Sequence, residues 1–252
     1  MRPIPDWLVP EPHTDVDLGV LKSGKEAQVN VIERTGSDGR TCLIARKRYM
    51  PREVKYKGEL EHLGVQRASA FRQDVSYREG RQFRRSRDRR AVERMTTYGK
   101  HLLQDRWMGQ EHDVMNTLFQ AGAAVPFPIS FGENVFDLEY IGDLDGAAPQ
   151  LNAARLSGES LRSAFEQLVD GLRIITAAGF VHADLSAYNL LWWRDTLVFI
   201  DFPQAVDLAA NPQGLSYLHR DVENVCTWFN RRGLDIDAEE VFADLLPFTW
   251  SG

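Results

Sequence analysis

The chain predicts an α+β fold of two lobes, strands early and helices late, with a cleft between them. Three patterns carry this prediction. Residues 27–47 read as a β-hairpin: Val29 and Val31 alternate with polar residues, Thr35-Gly36-Ser37-Asp38-Gly39 supplies turn residues, and Cys42-Leu43-Ile44-Ala45 is a second strand-like run. Leu161, Phe165, Leu168, Leu172 and Ile175 form an apolar stripe at helical spacing that stops at Gly179. After Asp201 only 51 residues remain, and they read as mostly helical.

The other elements follow in order. Pro3, Pro5, Pro10 and Pro12 predict an extended arm over residues 1–17. Residues 72–120 read as interrupted helix, with Glu111, Val114, Met115 and Leu118 forming a short amphipathic face that ends at Val125-Pro126-Phe127-Pro128. Val135 to Ile141 reads as a strand ending at Gly142, and residues 143–156 as loop. Helices are expected over 221–229 and near 238–246. The organisation is therefore an arm (1–17), a β-rich N-lobe (18–142) carrying a basic insert (72–106), and a helical C-lobe (143–252).

Composition narrows the function classes. A chain of 252 residues, 43% hydrophobic and 26% charged, is an ordinary globular composition. No apolar run approaches the roughly 18 residues of a membrane span, and the N-terminus has no signal-peptide core. A cytoplasmic location without membrane association is expected. Cys42 and Cys226 stand in no metal or redox spacing, and the six histidines form no metal pair. The net charge of −6 conceals an asymmetry. From Arg72 to Arg106 eleven basic residues face five acids, a surplus of six, so the rest of the chain carries −12. Arg84, Arg85, Arg87, Arg89 and Arg90 make this insert a candidate surface for RNA or an acidic partner, against the plainer reading of a solvated segment.

The densest chemistry lies in His182-Ala183-Asp184-Leu185-Ser186-Ala187-Tyr188-Asn189, followed twelve residues later by Asp201. Phosphoryl transfer from ATP needs such a set: a carboxylate to orient or deprotonate the acceptor hydroxyl, and an amide and second carboxylate to hold Mg²⁺ or Mn²⁺ on the phosphates. Leu197-Val198-Phe199-Ile200 reads as a buried strand that delivers Asp201. Asp and Asn also populate ordinary turns, and it is the strand-borne Asp201 at this distance that favours the chemical reading.

Gly19-Val20-Leu21-Lys22-Ser23-Gly24-Lys25-Glu26 nearly spells a P-loop, but Glu26 stands where a hydroxyl belongs and the next residues alternate like a strand. A phosphate-covering turn between two strands fits better, with Ser23, Gly24 and Lys25 at its tip. Lys47, at the end of the second hairpin strand, is placed to grip phosphates, and Glu111 is its natural ion-pair partner.

Together these residues resemble the RIO-type atypical serine/threonine kinases. The resemblance rests on Ser23 to Val29, Lys47, Trp107 to Glu111, Pro126-Phe127-Pro128, His182-Ala183-Asp184-Leu185-Ser186 with Asn189, and Ile200-Asp201 with Gln204, and it spans residues 18 to 246. It implies a trimmed bilobal protein-kinase-like fold without an activation segment, in the branch lacking the N-terminal winged helix. Asp184 then becomes the acceptor-orienting base, Asn189 and Asp201 the metal ligands, and Lys47 the phosphate anchor. Glu139 and Ile141 would offer backbone groups to adenine. The implied substrates are ATP with Mg²⁺ or Mn²⁺ and a protein acceptor, another chain or this one. Asp201 itself is a further acceptor that the resemblance implies. Alternatives are an aminoglycoside-type small-molecule phosphotransferase, which usually needs more than the 39 residues between Gly142 and His182, and an RNA- or ribonucleoprotein-binding ATPase using the basic insert. A catalytically dead scaffold should have lost Lys47, Asp184, Asn189 or Asp201, and all four are present.

Overall fold

The computed structural model describes residues 4–24, 27–49, 97–132 and 134–250. Strands β1 (His13–Ser23), β2 (Ala27–Gly36), β3 (Thr41–Tyr49), β4 (Pro128–Gly132) and β5 (Val135–Glu139) form an antiparallel sheet in the order β1-β2-β3-β5-β4. The expected hairpin is β2–β3, with Val29 opposite Lys47. The boundary expected after residue 17 falls inside a strand. The last proline of the arm is Pro12, and from His13 onward the backbone pairs with β2, beginning His13 to Gly36.

Helix α1 (Thr97–Ala121) packs beside this sheet, and its buried stripe is Glu111, Val114, Met115 and Leu118. Residues 72–96, part of the expected interrupted helix and the five arginines of the insert, lie outside the described residues. Strand alternation explains how adjacent Arg46 and Lys47 coexist on β3. Lys47 faces α1, whereas Arg46 turns to the other face and bonds Asp137 and Asp15. Arg34 bonds the same two carboxylates, closing a ring of four charges across β1, β2, β3 and β5.

Past β5 the chain runs through two-residue strands β6 (Gly142–Asp143) and β7 (Gly146–Ala147), where a loop was expected, into helix α2 (Gly158–Ala177). Ser157 N–H donates to Ser160 Oγ at its N-terminus, and Leu161, Ala164, Leu168, Gly171, Leu172 and Ile175 are buried along it. There follow β8 (Phe180–Val181), β9 (Leu190–Trp193), β10 (Thr196–Phe199) and β11 (Val206–Asp207), then α3 (Gly214–Asn230) and α4 (Ala238–Leu245), closed by a 3-10 turn over Leu246–Trp250. Helix α3 begins seven residues before the expected 221. Its buried face includes Leu218, Asp221, Val222, Val225 and Phe229. One hydrophobic core runs from Val114 and Phe136 beneath the sheet, through Leu168 and Phe199, to Phe229 and Leu245.

Candidate active site

Asp201 reaches its position through β10. Leu197, Val198 and Phe199 are buried, and β10 pairs with β9, Phe199 opposite Leu190. Ile200 N–H then donates to the Asn189 carbonyl at 3.0 Å, which sets Asn189 and Asp201 side by side at one end of that ladder. Gly171 of α2 makes room for this strand, since a methyl group there would overlap the Phe199 ring.

Lys47 ties Asp201 to the sheet. Its Nζ lies 2.7 Å from Glu111 Oε1 and 2.8 Å from Asp201 Oδ1. Lys47 is 8% exposed and Glu111 3%, so this charge pair is largely shielded from water. Burial works against the Lys47 charge, but Glu111 and Asp201 overcome it and hold the ammonium firmly protonated, well above the usual lysine range. Burial likewise pushes Asp201 up, and Lys47, helped by Lys22, brings it net below the usual carboxylate range. Asp201 is therefore an anion, the state a hard cation requires.

Asp184 is exposed. Partial desolvation, the largest influence, and repulsion by Asp201 push its carboxyl up, toward the range in which a general base is effective. Asn189 Nδ2 donates to the Asp184 carbonyl at 2.9 Å, which leaves Oδ1 as its oxygen for a cation. With the Asp201 carboxylate this is a hard oxygen set that fits Mg²⁺. Ala183 (φ 63°) and Asp201 (φ 69°) both hold left-handed backbone uncommon for non-glycine residues. Such strain persists only where the surroundings over-determine it.

Three residues that brace the site were not foreseen. Asp221, on the buried face of α3, accepts the Ala183 N–H at 2.7 Å and the Leu185 N–H at 3.1 Å, clamping the backbone on either side of Asp184. Arg220 donates to the Ala183 carbonyl. The signal for Asp221 was available: it is an acid within the apolar stripe of a helix, where an unpartnered charge would be costly. Buried His182 also braces the loop, with Nε2 3.1 Å from the Ile200 carbonyl. Burial lowers its pKa, so the ring is held neutral. The third unforeseen residue is Tyr49, whose hydroxyl donates to Glu111 Oε2.

The remaining expected residues are placed as follows. Ser23 and Gly24 lie exposed at the β1–β2 turn, where Gly24 N–H donates to the Ala27 carbonyl; Lys25 lies outside the described residues. Glu139 ends β5 and spends its N–H on the Phe127 carbonyl, while its side chain accepts the Phe127 N–H. The Ile141 carbonyl accepts from Ala148 N–H. The Ile141 N–H has no hydrogen-bond partner among the described residues.

A family model described as the RIO domain matches residues 69–241. The RIO-type serine/threonine-protein kinase Rio1 of Haloferax volcanii is 31% identical over 235 residues, covering 93% of this chain and 70% of the relative. That of Thermoplasma acidophilum is 36% identical over 135 residues, 54% of this chain and 69% of the relative. Among solved structures, the Rio2 kinase of Chaetomium thermophilum aligns with a TM-score of 0.56 at 18% identity, covering 90% of this chain and 63% of its own. The ADP/Mg²⁺-phosphoaspartate complex of the same kinase aligns with a TM-score of 0.55 at 16% identity, covering 90% and 60%. The chain thus spans under two thirds of those two structures, and at such identities the likeness speaks for the kinase-like fold. With the family model covering more than half of the sequence and the Haloferax relative nearly all of it, the chain belongs to the RIO family of atypical serine/threonine kinases.

Proposed function

We propose that the chain is an ATP- and Mg²⁺-dependent RIO-type serine/threonine protein kinase or ATPase, which transfers or hydrolyses the ATP γ-phosphate. The observation that carries this reading is the convergence of Lys47, Glu111 and Asp201 within hydrogen-bond distance, beside Asn189 and the Asp221-clamped Asp184. Lys47 anchors the α- and β-phosphates, and Glu111 keeps it oriented. Asn189 and Asp201 would hold Mg²⁺, which when bound would neutralise phosphate charge. Asp184 orients the acceptor hydroxyl and draws its proton as the new bond to the γ-phosphorus forms and the bond to the bridging oxygen breaks, releasing ADP. Ser23, Gly24 and Lys25 cover the phosphates, and the Ile141 N–H, with the backbone of Glu139, meets adenine. Residues 18–142 and 143–252 serve as the two lobes, with β1 continuing back into the arm.

A second reading concerns the first acceptor. The Chaetomium structure contains a phosphoaspartate by its description, and Asp201, ionised and 36% exposed in its side chain, is the carboxylate that would accept the group here. The protein acceptor, a second molecule or this chain, and RNA or an acidic partner on the basic insert belong to the proposal. So does a cytoplasmic location, which the free cysteines Cys42 and Cys226 favour. No helix among the described residues is long and apolar enough to cross a membrane.

The test is incubation with γ-labelled ATP, with Mg²⁺ and with excess chelator. Metal-dependent label on Ser or Thr, or released as phosphate, supports kinase or ATPase respectively. Hydroxylamine-labile label supports Asp201 as acceptor. Turnover that survives chelation contradicts the reading.

A further inference from the structure

Tyr49 stands two residues beyond Lys47 on β3, so strand alternation puts both side chains on the face toward α1. Tyr49 is 2% exposed and Glu111 3%. The two oxygens of Glu111 are engaged by different donors: Lys47 Nζ takes Oε1 and the Tyr49 hydroxyl takes Oε2. Lys47 Nζ also lies 5.3 Å from the centroid of the Tyr49 ring, within cation–π range. Burial, with the Glu111 charge added, pushes the Tyr49 phenol far above its usual range, so it stays a donor at any physiological pH.

Lys47 cannot be the sole hold on Glu111. It divides its donors between Glu111 and Asp201, and on the kinase or ATPase reading, on which this inference rests, it must also reach the nucleotide phosphates. A buried carboxylate held by one shared donor would be free to turn as that donor shifts, and an unmet buried charge is costly. The hydroxyl of Tyr49 takes no part in that exchange. We propose that Tyr49 is a positioning residue: it fixes the Glu111 carboxylate so that Lys47 is held in the orientation that presents it to the phosphates.

Tyr49→Phe removes the hydroxyl and keeps the ring. Affinity for a non-hydrolysable ATP analogue with Mg²⁺, together with kcat and KM, would be measured for the wild type, Tyr49→Phe, Glu111→Ala and the double variant. A hydrogen bond to a charged group is strong enough for Tyr49→Phe to weaken analogue binding and raise KM by about tenfold, with a smaller change in kcat and a melting transition that stays cooperative. In the Glu111→Ala background the same substitution should add less than about twofold, because the carboxylate it serves is gone. A role in packing alone would produce equal losses in both backgrounds, and that result overturns the proposal. So does a Tyr49→Phe protein that binds within about twofold of the wild type, a comparison that stands even where the double variant melts too early to assay. A wild type that binds no nucleotide is a separate outcome, seen without any substitution; it overturns the functional reading and this inference with it.

Discussion

Lys47 and Asp201 are 154 residues apart in sequence and joined at 2.8 Å. This ion pair links the five-stranded sheet to the end of β10 and places the proposed phosphate anchor against the proposed metal ligand. Lys47 also holds Glu111, so one ammonium balances two acids.

Replacing Lys47 by Met should therefore damage both function and fold. Glu111 would be left buried without its cation, and breaking a buried pair from one side costs about 3–5 kcal/mol. Asp201 is a third exposed, so water offsets much of its loss. Urea unfolding should show a drop toward the lower end of that range, and turnover should fall by about a hundredfold or more. A variant of unchanged stability would mean that the pair with Glu111 is not formed.

Asp221 predicts a signature in pH. Burial raises its pKa from the ordinary 3.8 to about 6, although the N–H groups of Leu185 and Ala183 pull the other way. A folded-state pKa above the unfolded one means that the folded chain binds the extra proton between those values. This group's contribution to stability is fully present below about pH 3.8 and is lost as pH rises through about 6. At roughly 1.4 kcal/mol per pKa unit, the change is on the order of 3 kcal/mol. Asp221→Asn should lack this component, so the stability difference between the two proteins should vary across pH 4 to 6 and level off above it. The amide can accept only one of the two loop N–H groups, so kcat should fall as well. Parallel stability curves across that window would contradict the assignment.

Gly171→Ala tests how Asp201 is supported from behind. The added methyl group meets the Phe199 ring inside the core, and overpacking of this kind costs about 1–3 kcal/mol. Thermal melts should show the loss. Because Phe199 precedes Asp201 by two residues, turnover at a temperature where the variant is fully folded should also fall.

The basic insert carries a prediction of its own. Replacing Arg84, Arg85, Arg87, Arg89 and Arg90 by Ser should weaken polyanion binding. For a nucleic acid, the salt dependence should flatten by about 0.7–0.9 slope units for each phosphate that the protein ceases to neutralise. ATP affinity should hardly change, since Lys47, Asn189 and Asp201 lie outside the insert. Loss of ATP affinity with RNA binding intact would move the insert into the nucleotide site.

The parts of this molecule legible in the sequence were those written in local pattern. The period-two alternation of β2 and β3, the stripe of α2 and the buried run before Asp201 each name their element without help from elsewhere. Spacing within one loop was enough to nominate Asp184 and Asn189. The groups that went unseen act across long separations. Asp221 is 38 residues from Ala183, and its carboxylate matters only because α3 packs under the loop. Tyr49 gains its role only from α1, which brings Glu111 to its hydroxyl. The prolines of the arm predict extended backbone, but the pairing of His13 to Ser23 with β2 depends on a partner strand that the arm's own composition does not announce.

On the proposed reading Asp184 orients the acceptor while Lys47, Asn189 and Asp201 hold the nucleotide, and Asp184→Ala separates the two roles. The decisive measurement is single-turnover transfer of γ-label by this variant, made beside its dissociation constant for ATP with Mg²⁺. Loss of a positioned general base should slow transfer by about 10²–10⁴-fold while the dissociation constant stays within about twofold of the wild type. Transfer at the wild-type rate, or a collapse of ATP affinity with the fold intact, would contradict the account.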